Sequence, residues 1–393
     1  MGVKHLILIS ILLMYFSTVY SATLTPSVYK KLEKAQAAIQ NGKSDVALDI
    51  LFSVEKKAKE RSMDKAMSWQ LIGHVYVSRE NYKEAINAYE KSLAQQSLEE
   101  RIQFNIMRNL GQLYISQEYY EKGKEALLTW LANSKGKIGR AEAHILIANA
   151  YAELKNTSEA ISHVKRAIAL NKLTPENWYQ MLLGLYYQTE QYVECINLLK
   201  KMLIIFPQQK RYWQQLAGIY INLGKEQDAL MILQLAWKKG LLDGKKDILE
   251  LSNLYASQGL PFEAANVLKS GLNENLIEND FENWQRVANF YLQAKESHRS
   301  VNALEQRIKL AKSSDDYISA VKITMSAERW QLALKIIERA KKEKLDKADD
   351  LSFLNGIILF ELNELQQAKY QFSKLVSSKK YKNEVSQWLE YLE

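Results

Sequence analysis

A small residue, a tyrosine three positions later and a second small residue recur along almost the whole of this chain. Gly73 and Tyr76 are followed by Ala85, Gly111 and Tyr114 by Gly123, Ala148 and Tyr151 by Ala160, Leu183 and Tyr186 by Cys195, and Ala217 and Tyr220 by Ala229. The spacing continues through Ser252, Tyr255 and Ala264 and through Ala288, Tyr291 and Ser300. Weaker copies are Val321, Thr324 and Ala333, then Gly356, Leu359 and Ala368, and a degenerate first copy holds Ala35, Ala38, Gly42 and Ala47. From Ala85 to Ala368 the second small residue returns every 33–38 residues. A period of about 34 with small residues at fixed places predicts an array of helical hairpins, because paired helices approach to about 8–10 Å where a branched side chain would hold them apart. Each hairpin has an apolar face that only its neighbour covers, so the array buries one elongated core.

Within the first strong copy, Trp69, Ile72, Gly73 and Tyr76, then Ala85, Tyr89 and Ser92, resemble the signature of the tetratricopeptide repeat (TPR). The resemblance implies an all-α fold, a right-handed superhelical solenoid of about ten TPR helical hairpins with a C-terminal capping helix. The expected organisation is a signal peptide over residues 1–21, the array over 22–380 and the cap over 381–393, where Trp388, Leu389 and Leu392 have amphipathic helical spacing. The weakest copy, 29–54, is expected to cap the other end.

Lys4, the apolar run 6–19 and Val19, Tyr20 and Ser21 read as a secretory signal cleaved after Ser21, the alternative being an uncleaved anchor. No cysteine follows the run, which argues against a lipoprotein anchor. Cys195 is the single cysteine, so no intrachain disulfide forms, and at a small-residue position it reads as a buried substitute for alanine. Export without disulfides points to a bacterial periplasm. The formal net charge is +8. Its clusters, Lys56, Lys57, Lys59 and Arg61; Lys238 and Lys239; Lys341, Lys342 and Lys344; and Lys379, Lys380 and Lys382, fall mostly where second helices should end and complement their dipoles. At most peripheral contact with an anionic membrane surface follows. Nucleic acid is an improbable partner for an exported chain without a base-stacking module.

No catalytic pattern emerges. His74, His144, His163 and His298 are expected in different repeats or at different heights, without metal-ligand spacing, so neither a metal nor another cofactor is expected. A nucleophile elbow and a phosphate loop are both absent. Asp315 and Asp316, and Asp349 and Asp350, precede apolar helical patterns and read as helix caps and first-turn acids. The expectation is a protein that is not an enzyme.

The repeat resemblance places first helices on a concave face, with the second, fifth, ninth and twelfth residues of each repeat pointing into the groove. The fifth column is Gln70, Arg108, Ile145, Gln180, Gln214, Leu249 and Gln285, and the ninth is His74, Gln112, Asn149, Gly184, Gly218, Asn253 and Asn289. Side-chain amides both donate and accept, so such a ladder can satisfy an extended peptide backbone. Gly184 and Gly218 should leave room beside Trp178 and Tyr187 for an apolar or aromatic anchor. Met181 and Arg286 stand where some chaperone-cofactor repeats carry a carboxylate-clamping Asn.

Asn177-Trp178-Tyr179-Gln180 with Leu185-Tyr186-Tyr187, Phe206-Pro207 with Tyr212-Trp213, Ala236-Trp237-Lys238-Lys239-Gly240-Leu241-Leu242 and Gly259-Leu260-Pro261-Phe262-Glu263-Ala264-Ala265 resemble the exported tetratricopeptide proteins that accompany TonB, ExbB and ExbD in proteobacteria. That resemblance implies a periplasmic accessory of energy transduction for uptake of iron complexes or other nutrients. Its partners would be extended periplasmic segments of TonB or ExbD. The competing expectation is a general envelope adaptor for outer-membrane protein, cell-wall or pilus biogenesis.

Overall fold

The computed structural model describes residues 24–60, 62–134, 138–310, 313–342 and 347–392. The expected signal peptide, Arg61 and Lys344 lie outside them. Internal contacts group the described residues into two compact units, 24–198 and 199–392.

In the first unit α1 (Pro26–Gln40) packs on α2 (Ser44–Glu55), α3 (Met63–Ser78) on α4 (Tyr82–Ala94), α5 (Glu100–Ser116) on α6 (Tyr120–Asn133) and α7 (Arg140–Glu153) on α8 (Thr157–Leu170). After α9 (Glu176–Gln188) comes α10 (Tyr192–Ile205), within which the division falls. The second unit pairs α11 (Lys210–Asn222) with α12 (Glu226–Lys238), α13 (Lys245–Ser257) with α14 (Pro261–Asn273), α15 (Phe281–Gln293) with α16 (Ser297–Lys309), α17 (Ser314–Ser326) with α18 (Trp330–Lys342) and α19 (Ala348–Glu361) with α20 (Leu365–Ser373). The last helix, α21 (Lys382–Tyr391), packs on α20. No described helix is long and apolar enough to cross a membrane.

Each hairpin turns in the same way. Residues 42, 80, 118, 155, 190, 224, 259, 295, 328 and 363 all have positive φ, and the next amide donates back to the carbonyl of the repeat's tyrosine position. Asn81 N reaches Tyr76 O at 2.9 Å, Lys225 N reaches Tyr220 O at 2.8 Å and Glu364 N reaches Leu359 O at 2.8 Å. These are Schellman closures, which satisfy carbonyls that a helix end leaves open. Glycine occupies this left-handed residue at Gly42, Gly224 and Gly259, whereas Glu80, Glu118, Glu190 and others accept it as non-glycine residues.

The small positions are where helices touch. Where serine replaces alanine, its hydroxyl bonds to the facing backbone: Ser252 Oγ donates to Ala264 O at 3.0 Å and Ser300 Oγ to Ala288 O at 2.9 Å. Both serines are buried, so these bonds remove the cost of an unpaired hydroxyl. Cys195 is fully buried, in keeping with its alanine-like place, and burial pushes its thiol pKa up. Successive first helices in the second unit are also tied by ion pairs about one repeat apart. Lys210 meets Asp243 at 2.6 Å and Asp247 at 2.5 Å, Lys245 meets Glu278 at 2.8 Å, Lys347 meets Asp315 at 2.5 Å and Lys380 meets Asp350 at 2.5 Å. Asp316 completes a capping box with Ser313, as its sequence position suggests, whereas Asp315 and Asp350 reach across repeats.

Arg307 departs from this pattern. It is fully buried, its guanidinium lies 3.8 Å from the Phe281 ring centroid, and Nη2 donates to Gln285 Oε1 at 3.1 Å, while Nε and Nη1 have no partner. Burial draws its pKa down to about 10, although Asp316 opposes the shift. Replacing a buried charge of incomplete bonding with an apolar side chain is often neutral or stabilising. Arg307→Met is therefore expected to stabilise the second unit by about 1–3 kcal/mol in denaturant melts. A clear loss of stability would show that the Gln285 bond and the Phe281 stacking outweigh the orphaned donors.

Candidate functional site

The fifth and ninth columns, parallel in sequence, do not share one environment. Gln70 is only 2 % exposed and its Oε1 lacks a partner, because α3 is covered by α1, α2 and α4 together. It lines no groove. His74 is half-buried with its ring edge on Tyr89, 5.8 Å between centroids, and burial lowers its pKa to about 4. Its imidazole is drawn toward the hairpin interior. Arg108 lies over the Trp130 ring at 5.3 Å and against Gly139, where a Cβ would stand 2.8 Å from the guanidinium carbon. Gln112 and Asn149 are half-buried on α5 and α7.

Trp178 corrects a further expectation. It is buried against Ala141 and Ala167 as a core residue between α7, α8 and α9, so it does not flank an open notch. Space does exist at Gly184 and Gly218, where an added Cβ meets nothing within 4 Å. Tyr187 is 52 % exposed and meets Tyr192 edge to face at 5.8 Å. Gln180 is half-buried and donates to Glu176 Oε1 at 3.3 Å.

In the second unit the amides turn sideways toward the following repeat. Gln214 Nε2 donates to Asp247 Oδ1 at 2.7 Å, and Gln285 Nε2 donates to Ser319 Oγ at 3.2 Å while its carbonyl accepts from Arg307. These side chains join repeats, which leaves less of each for a ligand. Asp243 first and Asp247 second hold the Lys210 ammonium protonated above its ordinary range, so this corner stays charged. Asn289 is half-buried. Asn253 is exposed and makes a different contribution.

Asn253 lines a cavity of about 790 Å³ between α11 and α13. Ile221, Leu249 and Leu254 supply apolar surface, and Lys245, Lys246 and Glu250 supply charge. Ile221 is the twelfth residue of one repeat, while Lys246, Leu249 and Asn253 are the second, fifth and ninth of the next. Periodicity thus identifies a face, and at this place the packing of the second unit leaves a shallow, open hollow on it. Lys245 and Glu250 lie outside the four columns and carry no distinctive sequence signal.

The histidines require another correction. His144 on α7 and His163 on α8 belong to one hairpin and touch, Nδ1 to Nδ1 at 2.9 Å, with Tyr151 5.5 Å from His163 between ring centroids. One Nδ1 must donate and the other accept, which fits a neutral pair. Burial lowers both pKa values, that of His144 to about 4, and the nearby Arg166 adds to the effect on each. Among the described residues no group of three or more His, Cys, Asp or Glu is placed to hold a metal ion.

Residues 66–96 and 141–172 match the family described as tetratricopeptide repeat. No curated protein matches the sequence. Among solved structures the chain is similar to the MamA protein, at 22 % identity over 44 % of this chain and 91 % of that one with a TM-score of 0.37. It is also similar to a tetratricopeptide repeat protein from Parabacteroides merdae, at 14 % identity over 77 % and 100 % with a TM-score of 0.39. Pseudomonas aeruginosa pilF is similar at 16 % identity over 59 % and 98 %, with a TM-score of 0.36. At such scores the overall likeness has no bearing on function. The two matched segments and the turn that recurs through every described hairpin are those of the all-α hairpin fold of tetratricopeptide repeats.

Proposed function

We propose that this protein is a non-catalytic periplasmic scaffold that holds an extended segment of TonB or ExbD and so assists energy-driven uptake of iron complexes or other nutrients. The observation that carries the reading is the hollow at Asn253, which Lys245, Lys246 and Glu250 line together with Ile221, Leu249 and Leu254. An extended chain could bury an aliphatic side chain against those residues while the Asn253 amide pairs with its backbone. The signal-like leader and the single cysteine support a periplasmic setting, and the blocks between Trp178 and Ala265 support the partner system.

A photo-crosslinking residue at Asn253, and another at the exposed Met231 on α12, would test the reading in envelope extracts. Capture of TonB or ExbD from position 253, and not from 231, is expected. Capture from 231 alone would overturn the groove. Capture at 253 of outer-membrane assembly, cell-wall or pilus proteins would retain the groove and replace the partner system.

A further inference from the structure

Away from that groove, α14, α15 and α16 enclose a cavity of about 540 Å³ with a different chemistry. Two cations line it, Lys269 near the end of α14 and Arg299 in the first turn of α16, and among the described residues no carboxylate does. Arg299 keeps one acidic neighbour, Glu296 at 3.4 Å. Lys269 is exposed and has no carboxylate partner among the described residues.

The amides of the cavity reinforce this bias. Asn279 Oδ1 accepts from Trp284 Nε1 at 2.7 Å, and Gln306 Oε1 accepts from Lys309 Nζ at 3.2 Å. With those carbonyls engaged, each amide offers its NH₂ group as the remaining donor. Asn302 is oriented the other way: its NH₂ meets His298 Nδ1 at 3.4 Å, which leaves a carbonyl to accept from a hydroxyl. Cations and amide donors beside an acceptor such as Asn302 suit a ligand that is an oxyanion and also carries a hydroxyl group.

We propose that this cavity is a second binding site, for a small hydroxylated oxyanion whose charge is a carboxylate or a phosphate. It is independent of the peptide groove and has no residue in common with it. Calorimetric titration of the full chain with citrate in one arm and glucose 6-phosphate in the other distinguishes the two anion types, and glucose serves as the uncharged control. The expected Kd for the preferred anion is about 10⁻⁴ M at low salt, weakening as ionic strength rises. Lys269→Ala is expected to weaken it about tenfold. Because Lys269 is exposed, the variant should keep the parent melting temperature, which is measured alongside. Binding of neither anion up to about 10 mM, binding unchanged in Lys269→Ala, or equal binding of glucose would overturn the proposal.

Discussion

Acidification from pH 6.5 to about 4 is expected to strip stability from residues 24–198 ahead of the second unit, because His74, His144 and His163 all pack into hairpins of the first. In the unfolded chain these imidazoles take up protons near pH 6.5, whereas in the fold burial holds His74 and His144 neutral down to about 4. Across that window the unfolded state binds more protons, so stability is complete above 6.5 and falls as pH drops toward 4. At about 1.4 kcal/mol per pH unit, each of these two residues contributes roughly 3 kcal/mol to the loss. His163 acts in the same direction, and the neighbouring Arg140 and Arg166 disfavour a charge on the pair. Urea melts at stepped pH, followed by Trp fluorescence and by hydrogen exchange of the two units, would measure the effect. His74→Phe should remove its own share of the slope; parallel pH curves for the variant and the parent would refute this account.

Gly123→Val is expected to destabilise the α5 and α6 hairpin by about 3 kcal/mol or more, and Gly123→Ala by about 1–3 kcal/mol. A Cβ at Gly123 would stand 2.5 Å from Ile115 Cγ1, 3.0 Å from the Gly111 carbonyl oxygen and 3.1 Å from the Ile115 amide nitrogen. Two of those three atoms are backbone, so the clash cannot be relieved by a rotamer change and the helices must separate. From the other side, a Cβ at Gly111 would meet Leu127 Cγ at 2.5 Å. Gly184→Ala provides the contrast: its added methyl meets nothing, and relief of glycine's conformational entropy in mid-helix should stabilise by about 0.5–1 kcal/mol. Thermal melts of the three variants would decide. A Gly123→Val protein as stable as the parent would show that α5 and α6 can move apart freely.

The repeat was legible because close helix packing restricts residue size at fixed intervals, and Gly73, Gly111, Ala148 and Ala217 record that restriction directly. The turns were less legible. At the ten turns within hairpins one residue adopts the left-handed conformation, yet glycine marks only three of these turns, since a Schellman closure offsets the cost for Glu80 or Glu118. The candidate site was less legible still. Gln70, Gln214 and Asn253 fall in columns of the same repeat, but one is buried, one bonds to the next repeat and one lines a cavity.

Helical periodicity and the size limit at helix contacts are properties of the chain taken locally, so the all-α hairpin array follows from residue spacing alone. Which amides remain available, that His144 and His163 meet, and that Lys269 and Arg299 line one cavity all depend on how separate helices pack against one another. Such contacts join residues from separate helices, and their distances are set by the packing between helices, which residue spacing along one helix does not specify.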